Sequence, residues 1–356
     1  MAAMRKTLPK EIDDLLKAGN LEELKEIFSQ CEPNAVHTNK FGSNIFSRTP
    51  LPREFAFWAK EQGADINFVD YYGKTPIFSH ASAWGGDVQL LIDLGAEVNV
   101  AAGGVTPLHC AAMYGRPQAV KALLTAGANV EARPKDALGR AHSPLEMTLI
   151  QNRVPFSTLL EVCTLLLEHE AKITDEAKNA VAHIGENFER VKRGIQNPDY
   201  LKEQSESLQK LYEMFGVASA AEIAVHDGVS PIVIKEEGFA KQYNKLWEYL
   251  VPPHGRAQTA QGEAMRIVGK VSYEILDNGG VNWDGDFRKM LRALPEYFRL
   301  GNPLSNEDIA DVERLIHFLR DGCWCKDEPT KLCAYAVAWV MKNPEVIAPL
   351  PADYTR

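Results

Sequence analysis

From residue 239 onward, apolar side chains recur at helical rather than alternating spacing. Tyr243, Leu246, Trp247 and Leu250 form one stripe, followed by Ala264, Ile267, Val268, Val271, Ile275 and Leu276, and then by Phe287, Met290, Leu291 and Leu294. Ile309, Val312, Leu315, Ile316 and Leu319 make a fourth, and Leu332, Tyr335, Ala336, Trp339 and Val340 a fifth. Pro252-Pro253, Asn278-Gly279-Gly280, Gly301-Asn302-Pro303 and Gly322 separate them. The pattern predicts a compact all-helical domain over 239–350. Ahead of it, Pro198 follows the end of one helix, Tyr200 to Phe215 is amphipathic, and Gly216 to Gly238 carries breakers, so 194–238 reads as a helical connector. In the first half the helical stripes are shorter and come in pairs, such as Ile12 to Leu16 with Leu21 to Phe28.

Those pairs repeat. Gly63-Ala64-Asp65-Ile66-Asn67 returns as Gly95-Ala96-Glu97-Val98-Asn99 and as Gly127-Ala128-Asn129-Val130-Glu131, a step of 32 residues each time. Between these copies stand Gly73-Lys74-Thr75-Pro76-Ile77-Phe78 and Gly104-Val105-Thr106-Pro107-Leu108-His109-Cys110-Ala111-Ala112, so a second marker keeps nearly the same period. Thr106 can cap a first helix and Pro107 suits its first turn. Ala119 to Leu124 then makes an apolar second helix that Gly127 ends in the left-handed conformation. Weaker copies begin at Phe41-Gly42 and, after a few inserted residues around Arg133 to Asp136, at Gly139 to Leu149, where Glu170 replaces the glycine that closes the second helix.

The stretch resembles ankyrin repeats, and Thr106 to Ala111 matches the T-P-L-H-x-A signature at every fixed position. The resemblance implies an all-α fold in which 8–193 is a solenoid of helix-turn-helix repeats, capped by the helix pair Ile12 to Phe28 at one end and by a helix near Asp175 to Arg193 at the other. It further implies a concave face, built from the turns before each Thr-Pro and the exposed positions of the first helices, that binds other proteins. Carried onto this chain, that face includes Tyr71, Tyr72, Lys74, Val105, Met113, Tyr114 and Arg140. In the second half, Leu250 to Glu263 is similar to helical domains of bacterial proteins of unassigned role, which points to a bacterial source and to no chemistry.

Charge narrows the class of partner. With 39 Lys and Arg against 48 Asp and Glu the net charge is −9, which gives binding to nucleic-acid phosphate no global support and fits a protein with a basic surface. Six cysteines in 356 residues make no small-domain disulfide framework, so a reducing cytoplasm is expected. The first residues lack an uninterrupted apolar core of a signal peptide, and the run Tyr335 to Met341 is far short of the roughly 20 residues that span a bilayer.

Candidate chemistry is sparse. His109 is expected to bond the backbone of a neighbouring repeat, and His80 to pack or face solvent. Cys323, Cys325 and Cys333 with His317 offer thiols for zinc, but the spacing is not that of paired C-x₂₋₄-C elements. A calcium loop starting at Asn282 would need Gly and Glu where Phe287 and Ala293 stand, so Asp284 is expected to cap the next helix instead. Glu263 and Glu274 share a helix without the marks of a catalytic pair. No metal or cofactor is therefore expected. The expectation is a non-enzymatic protein-binding protein, in a concrete form a bacterial immunity protein that neutralises a basic toxin. The alternative is an enzyme whose helical domain is catalytic and whose repeats recruit a protein substrate.

Overall fold

A computed structural model describes residues 4–38, 41–320 and 327–356. Its contacts divide the chain into two compact units: residues up to Phe188 with Asn197–Ala220, and Glu189–Gln196 with Ala221–Arg356. No helix among the described residues is long and apolar enough to cross a membrane.

The first unit opens with β1 (Arg5–Thr7), α1 (Ile12–Ala18), α2 (Leu21–Phe28) and β2 (Cys31–Val36). The two strands pair in parallel around the helix pair, a small departure from the all-helical expectation. Strands this short carry no periodicity to read; they exist because the Arg5 and Leu8 N–H groups find the Gln30 and Val36 carbonyls. A 3-10 turn, Ile45–Ser47, stands where the next first helix would be, and α3 (Arg53–Glu61) completes that repeat. Three helix pairs follow: α4 (Pro76–Ser82) with α5 (Val88–Asp93), α6 (Pro107–Met113) with α7 (Pro117–Thr125), and α8 (Pro144–Gln151) with α9 (Phe156–Glu168). Then come α10 (Asp175–Val191) and α11 (Pro198–Phe215).

The segment expected to connect two domains is divided between them. Helix α11 buries Leu208, Leu211 and Phe215 and packs on α9, where the Phe156 N–H donates to the buried Gln204 Oε1 at 2.7 Å. Residues after Ala220 belong to the second unit, with the His226 N–H on the Tyr249 carbonyl and the Ile232 N–H on that of Pro344. An amphipathic stripe has the same period whether it covers the end of a stack or bridges two domains, so spacing alone could not separate these cases.

Each second helix ends in one way. The N–H of Gly127 reaches the Leu124 carbonyl and that of Ala128 the Leu123 carbonyl, with Gly127 at φ +84°; Gly63 and Gly95 repeat the pattern. Glu170 takes the same left-handed place at φ +68°. No atom lies within 4 Å of a Cβ added at Gly127, so Gly127→Val meets only the backbone penalty. It is expected to cost about 1–3 kcal/mol, read as a lowered urea midpoint; an unchanged midpoint would remove the cap from the stability of the repeat.

The second unit contains α12 (Phe239–Leu250), α13 (Ala260–Leu276), α14 (Gly285–Phe298), α15 (Asn306–Arg320) and α16 (Asp327–Lys342), one for each predicted stripe. Every residue of α13 from Ala260 to Gly269 is buried, and α12, α14 and α16 surround it. The Gln258 to Glu263 phrase is its anchored start. Thr259 caps the helix, and the buried Gln261 amide donates to the Asn343 and Glu345 carbonyls while its oxygen accepts the Ile347 N–H.

Candidate protein-binding face

The turns that precede the first helices are small hairpins built from aspartates. The Asp70 N–H donates to the Lys74 carbonyl at 2.9 Å, and Asp70 Oδ1 accepts the N–H groups of Tyr72 and Lys74 at 2.8 and 2.9 Å. Asp136 does the same with Arg140 and Leu138, at 2.9 Å to the carbonyl and 2.8 and 2.9 Å to its Oδ1. A side chain that closes its own turn leaves the intervening residues no inward direction. Tyr71 is accordingly 75% exposed, Leu138 76%, and Tyr72 is also exposed.

Successive tips touch. The Tyr71 N–H donates to the Phe41 carbonyl and the Tyr71 ring lies against Gly42, while the Tyr72 and Phe41 rings are 5.7 Å apart. The middle tip closes by reciprocal bonds between Ala102 and Val105, and a Cβ on Gly104 would come within 2.7 Å of Asp136. Only glycine, here at φ +81°, lets those two tips approach so closely. A ladder of side chains stitches the repeats just below: Asn34 accepts the Asp65 N–H, Asn67 that of Glu97, Asn99 that of Asn129, and Glu131 that of Lys172, at 2.7–2.9 Å. The ladder crosses every junction of this stretch, which ties the tips to the helices beneath.

The residues carried over by resemblance divide into two groups on this surface. Tyr71, Tyr72 and Lys74 share one tip, Lys74 half-buried with its Nζ 5.9 Å above the Phe78 ring; half-buried Val105 is in the next tip and Arg140, paired with Asp136 at 2.8 Å, in the third. Met113 and Tyr114 lie at the opposite end of α6, about 10 Å away for seven residues at a rise of 1.5 Å. That far end holds Trp84, 89% exposed, with the Arg116 guanidinium 4.8 Å above its ring. Trp84 and Leu138 escaped the sequence reading. The signal was present in Trp84-Gly85-Gly86 and Asp136 to Gly139, where a large apolar residue stands in a turn that no core can cover.

The buried polar groups of the repeats are structural. His109 Nε2 donates to the His142 carbonyl at 3.0 Å and Nδ1 accepts the Thr106 N–H, so the imidazole links adjacent repeats and closes a capping box. His80 reaches the Arg48 carbonyl through Nε2 and accepts the Asp87 N–H on Nδ1, a link between repeats without a capping box. Burial pushes both imidazoles below their ordinary range. In the next repeat Glu146 takes the place of the histidine. Burial favours its neutral form, but the Arg133 guanidinium at 2.7 Å, the Ser143 N–H at 2.9 Å and the Thr174 hydroxyl at 2.7 Å prevail and hold its carboxyl at about 2.

His142, Glu146 and Glu176 place ligand atoms within 4.8 Å of one another, a set with the geometry to hold a metal. The chemistry does not match, because both Glu146 oxygens are committed and a guanidinium already neutralises them. In the second unit Asp284 caps α14 through the Asp286 and Phe287 N–H groups, and Glu274 accepts from Asn278 and Asn282. Cys323 and Cys325 lie outside the described residues; Cys333 is buried, which pushes its thiol up to about 11.

Comparison with known proteins meets this geometry in its best-formed part. The family described as ankyrin repeats (3 copies) matches residues 52–134. A stretch of 74 residues is 43% identical to the E3 ubiquitin-protein ligase hecd-1 of Caenorhabditis elegans. That stretch is 20% of this chain and 3% of the ligase, too small a share of the relative to bring its activity to this chain. The tips, the Asn ladder, the Thr-Pro-Leu-His cap and this match together make residues 52–134 an array of ankyrin repeats.

Proposed function

We propose that the chain is a non-enzymatic binding protein whose first unit holds another protein across the hairpin tips. Ankyrin repeats indicate protein–protein interaction. The observation that carries the finer reading is the row of pinned turns from which Tyr71, Tyr72 and Leu138 project. Rigid aromatic and apolar groups on ordered backbone supply buried area with little entropy left to lose. Lys74 and Arg140 flank them as polar contacts. The net charge of −9 supports a basic partner, such as a toxin domain held by an immunity protein in the cytoplasm.

The full chain, used as bait in its native host, identifies the partner, and the triple variant Tyr71→Ala, Tyr72→Ala, Leu138→Ala then tests the face. Capture is expected to weaken by more than about 2 kcal/mol, roughly thirtyfold, with the circular dichroism unchanged. Equal affinity in the triple variant, with loss in a Trp84→Ala, Tyr114→Ala variant, would move the site to the far end of the first helices. A basic partner should also bind less tightly as salt rises; salt-independent affinity counts against it. A second reading, with the helical unit catalytic, is favoured by one observation: a cleft in that unit contains Lys270, whose ammonium is pushed below its usual range by burial and by Arg266 and Arg356.

A further inference from the structure

That cleft lies wholly within the second unit and encloses about 570 Å³, a size that suits a small organic molecule. Its aromatic wall is made by Trp247, Tyr273 and Phe287. The indole of Trp247 lies on the α13 backbone at Gly269, where an added Cβ would come within 1.9 Å of the ring. Glycine there is what lets the ring lie so close to the helix. Tyr273, one turn further along α13, is 64% exposed.

The charged part of the wall is out of keeping with the rest of the chain. Four cations, Arg190, Arg193, Lys270 and Arg356, face two carboxylates, Glu248 and Glu274, and Asp284 partners Arg356 from outside the cleft, which leaves a local excess of one positive charge in a protein of net charge −9. Arg190 is paired with Glu248 at 3.1 Å and Arg356 with Asp284 at 2.8 Å. Arg193 donates through both terminal nitrogens to the Glu248 carbonyl at 3.3 Å, which engages two of its five N–H groups and leaves its charge without a carboxylate among the described residues. Lys270 is half-buried and makes no hydrogen bond or salt bridge among the described residues. Glu274 is engaged elsewhere, one oxygen accepting the Asn282 N–H and the other the Asn278 and Asn282 amides.

A desolvated ammonium among guanidiniums is costly until an anion neutralises it. Lys270 and Arg193 are the two cations of the cleft that no carboxylate pairs among the described residues, and a compact ammonium backed by a guanidinium suits phosphate. The aromatic wall adds a stacking surface for a flat ring. We infer that the cleft binds a small aromatic phosphate, an aryl or nucleoside monophosphate, with the phosphate on Lys270 and the neighbouring guanidiniums and the ring against Trp247 and Tyr273. The site is independent of the repeat tips.

Calorimetric titration of the full chain tests it, with adenosine 5′-monophosphate and phenyl phosphate as probes and adenosine, benzoate and inorganic phosphate as controls. At least one ring-bearing phosphate is expected to bind and to change the tryptophan fluorescence, with each control at least tenfold weaker. Lys270→Met and Lys270→Gln should each lower that affinity tenfold or more while the circular dichroism and melting of the free protein stay unchanged. Benzoate binding as well as phenyl phosphate would overturn the phosphate assignment, and inorganic phosphate binding as well would overturn the aromatic one. Absence of binding by both ring phosphates at millimolar concentration, or full affinity in both folded Lys270 variants, would overturn the inference altogether. None of these outcomes bears on capture of a protein by the first unit.

Discussion

Arg266→Met is expected to destabilise the second unit by about 3–5 kcal/mol, the usual loss when one member of a buried ion pair is removed. The Arg266 and Glu263 side chains are both fully buried. Arg266 donates through Nε and Nη2 to the two Glu263 oxygens at 2.8 and 2.6 Å, and through Nη1 to the Arg356 carbonyl at 2.6 Å. Glu263 also accepts the Ala257 N–H at 3.0 Å and the Tyr354 hydroxyl at 2.9 Å. Methionine would leave that carboxylate buried with only these two donors and the outlying Arg256, 3.5 Å away. Urea unfolding of the full chain, followed by a probe in each unit, should show the second unit's transition moving and the first unit's staying. The double variant Glu263→Gln, Arg266→Met should recover a large part of the loss, since it removes the uncompensated charge. A single variant as stable as the parent would mean that packing, not the ion pair, holds the start of α13.

Glu146→Ala is expected to cost the first unit about 3 kcal/mol, from hydrogen bonds to a buried charged group and the loss of a capping box. The side chain is 1% exposed and joins Arg133, Ser143 and Thr174, three points on successive turns of one repeat junction. Its folded carboxyl is held at about 2 against an ordinary 4.5. The sign follows directly: a depressed carboxyl stabilises fully above pH 4.5, and that contribution is lost as the pH falls from 4.5 toward 2. Parent and variant should therefore differ most near neutral pH and converge in acid. A difference that stayed constant down to pH 2 would show that the lost side chain mattered through its volume rather than its charge.

What could be read from the sequence was local. The 32-residue step, the Thr106 cap, the left-handed close at Gly127 and the five stripes of the second half all depend on residues within a few positions of one another. Hydrogen bonds of this kind join i to i+3 or i+4, so residue type and spacing suffice to foresee them. The role of His109 was legible too, because the repeat period places the same backbone opposite the same side chain in every copy.

The remainder depended on partners far apart in the chain. Helix α11 has the composition of a linker helix, and its packing on α9, with a bond to Phe156 48 residues earlier, is what places it on the repeats. Glu263 carried no sequence mark beyond sharing a helix with Glu274, and its role comes from Arg266, Tyr354 and the Ala257 N–H around it. The exposure of Trp84 and Leu138, the separation of Tyr114 from the tips, and the collection of cations around Trp247 likewise follow from how helices stack. Residue type and spacing alone settled the repeat architecture and the helices, since each helix satisfies most of its own backbone within its own span. Which side chains end beside one another, and so which surface or cleft has chemistry to offer, was decided only by tertiary packing, because desolvation and charge pairing act through space between residues such as Glu263 and Tyr354, which the sequence leaves 91 positions apart.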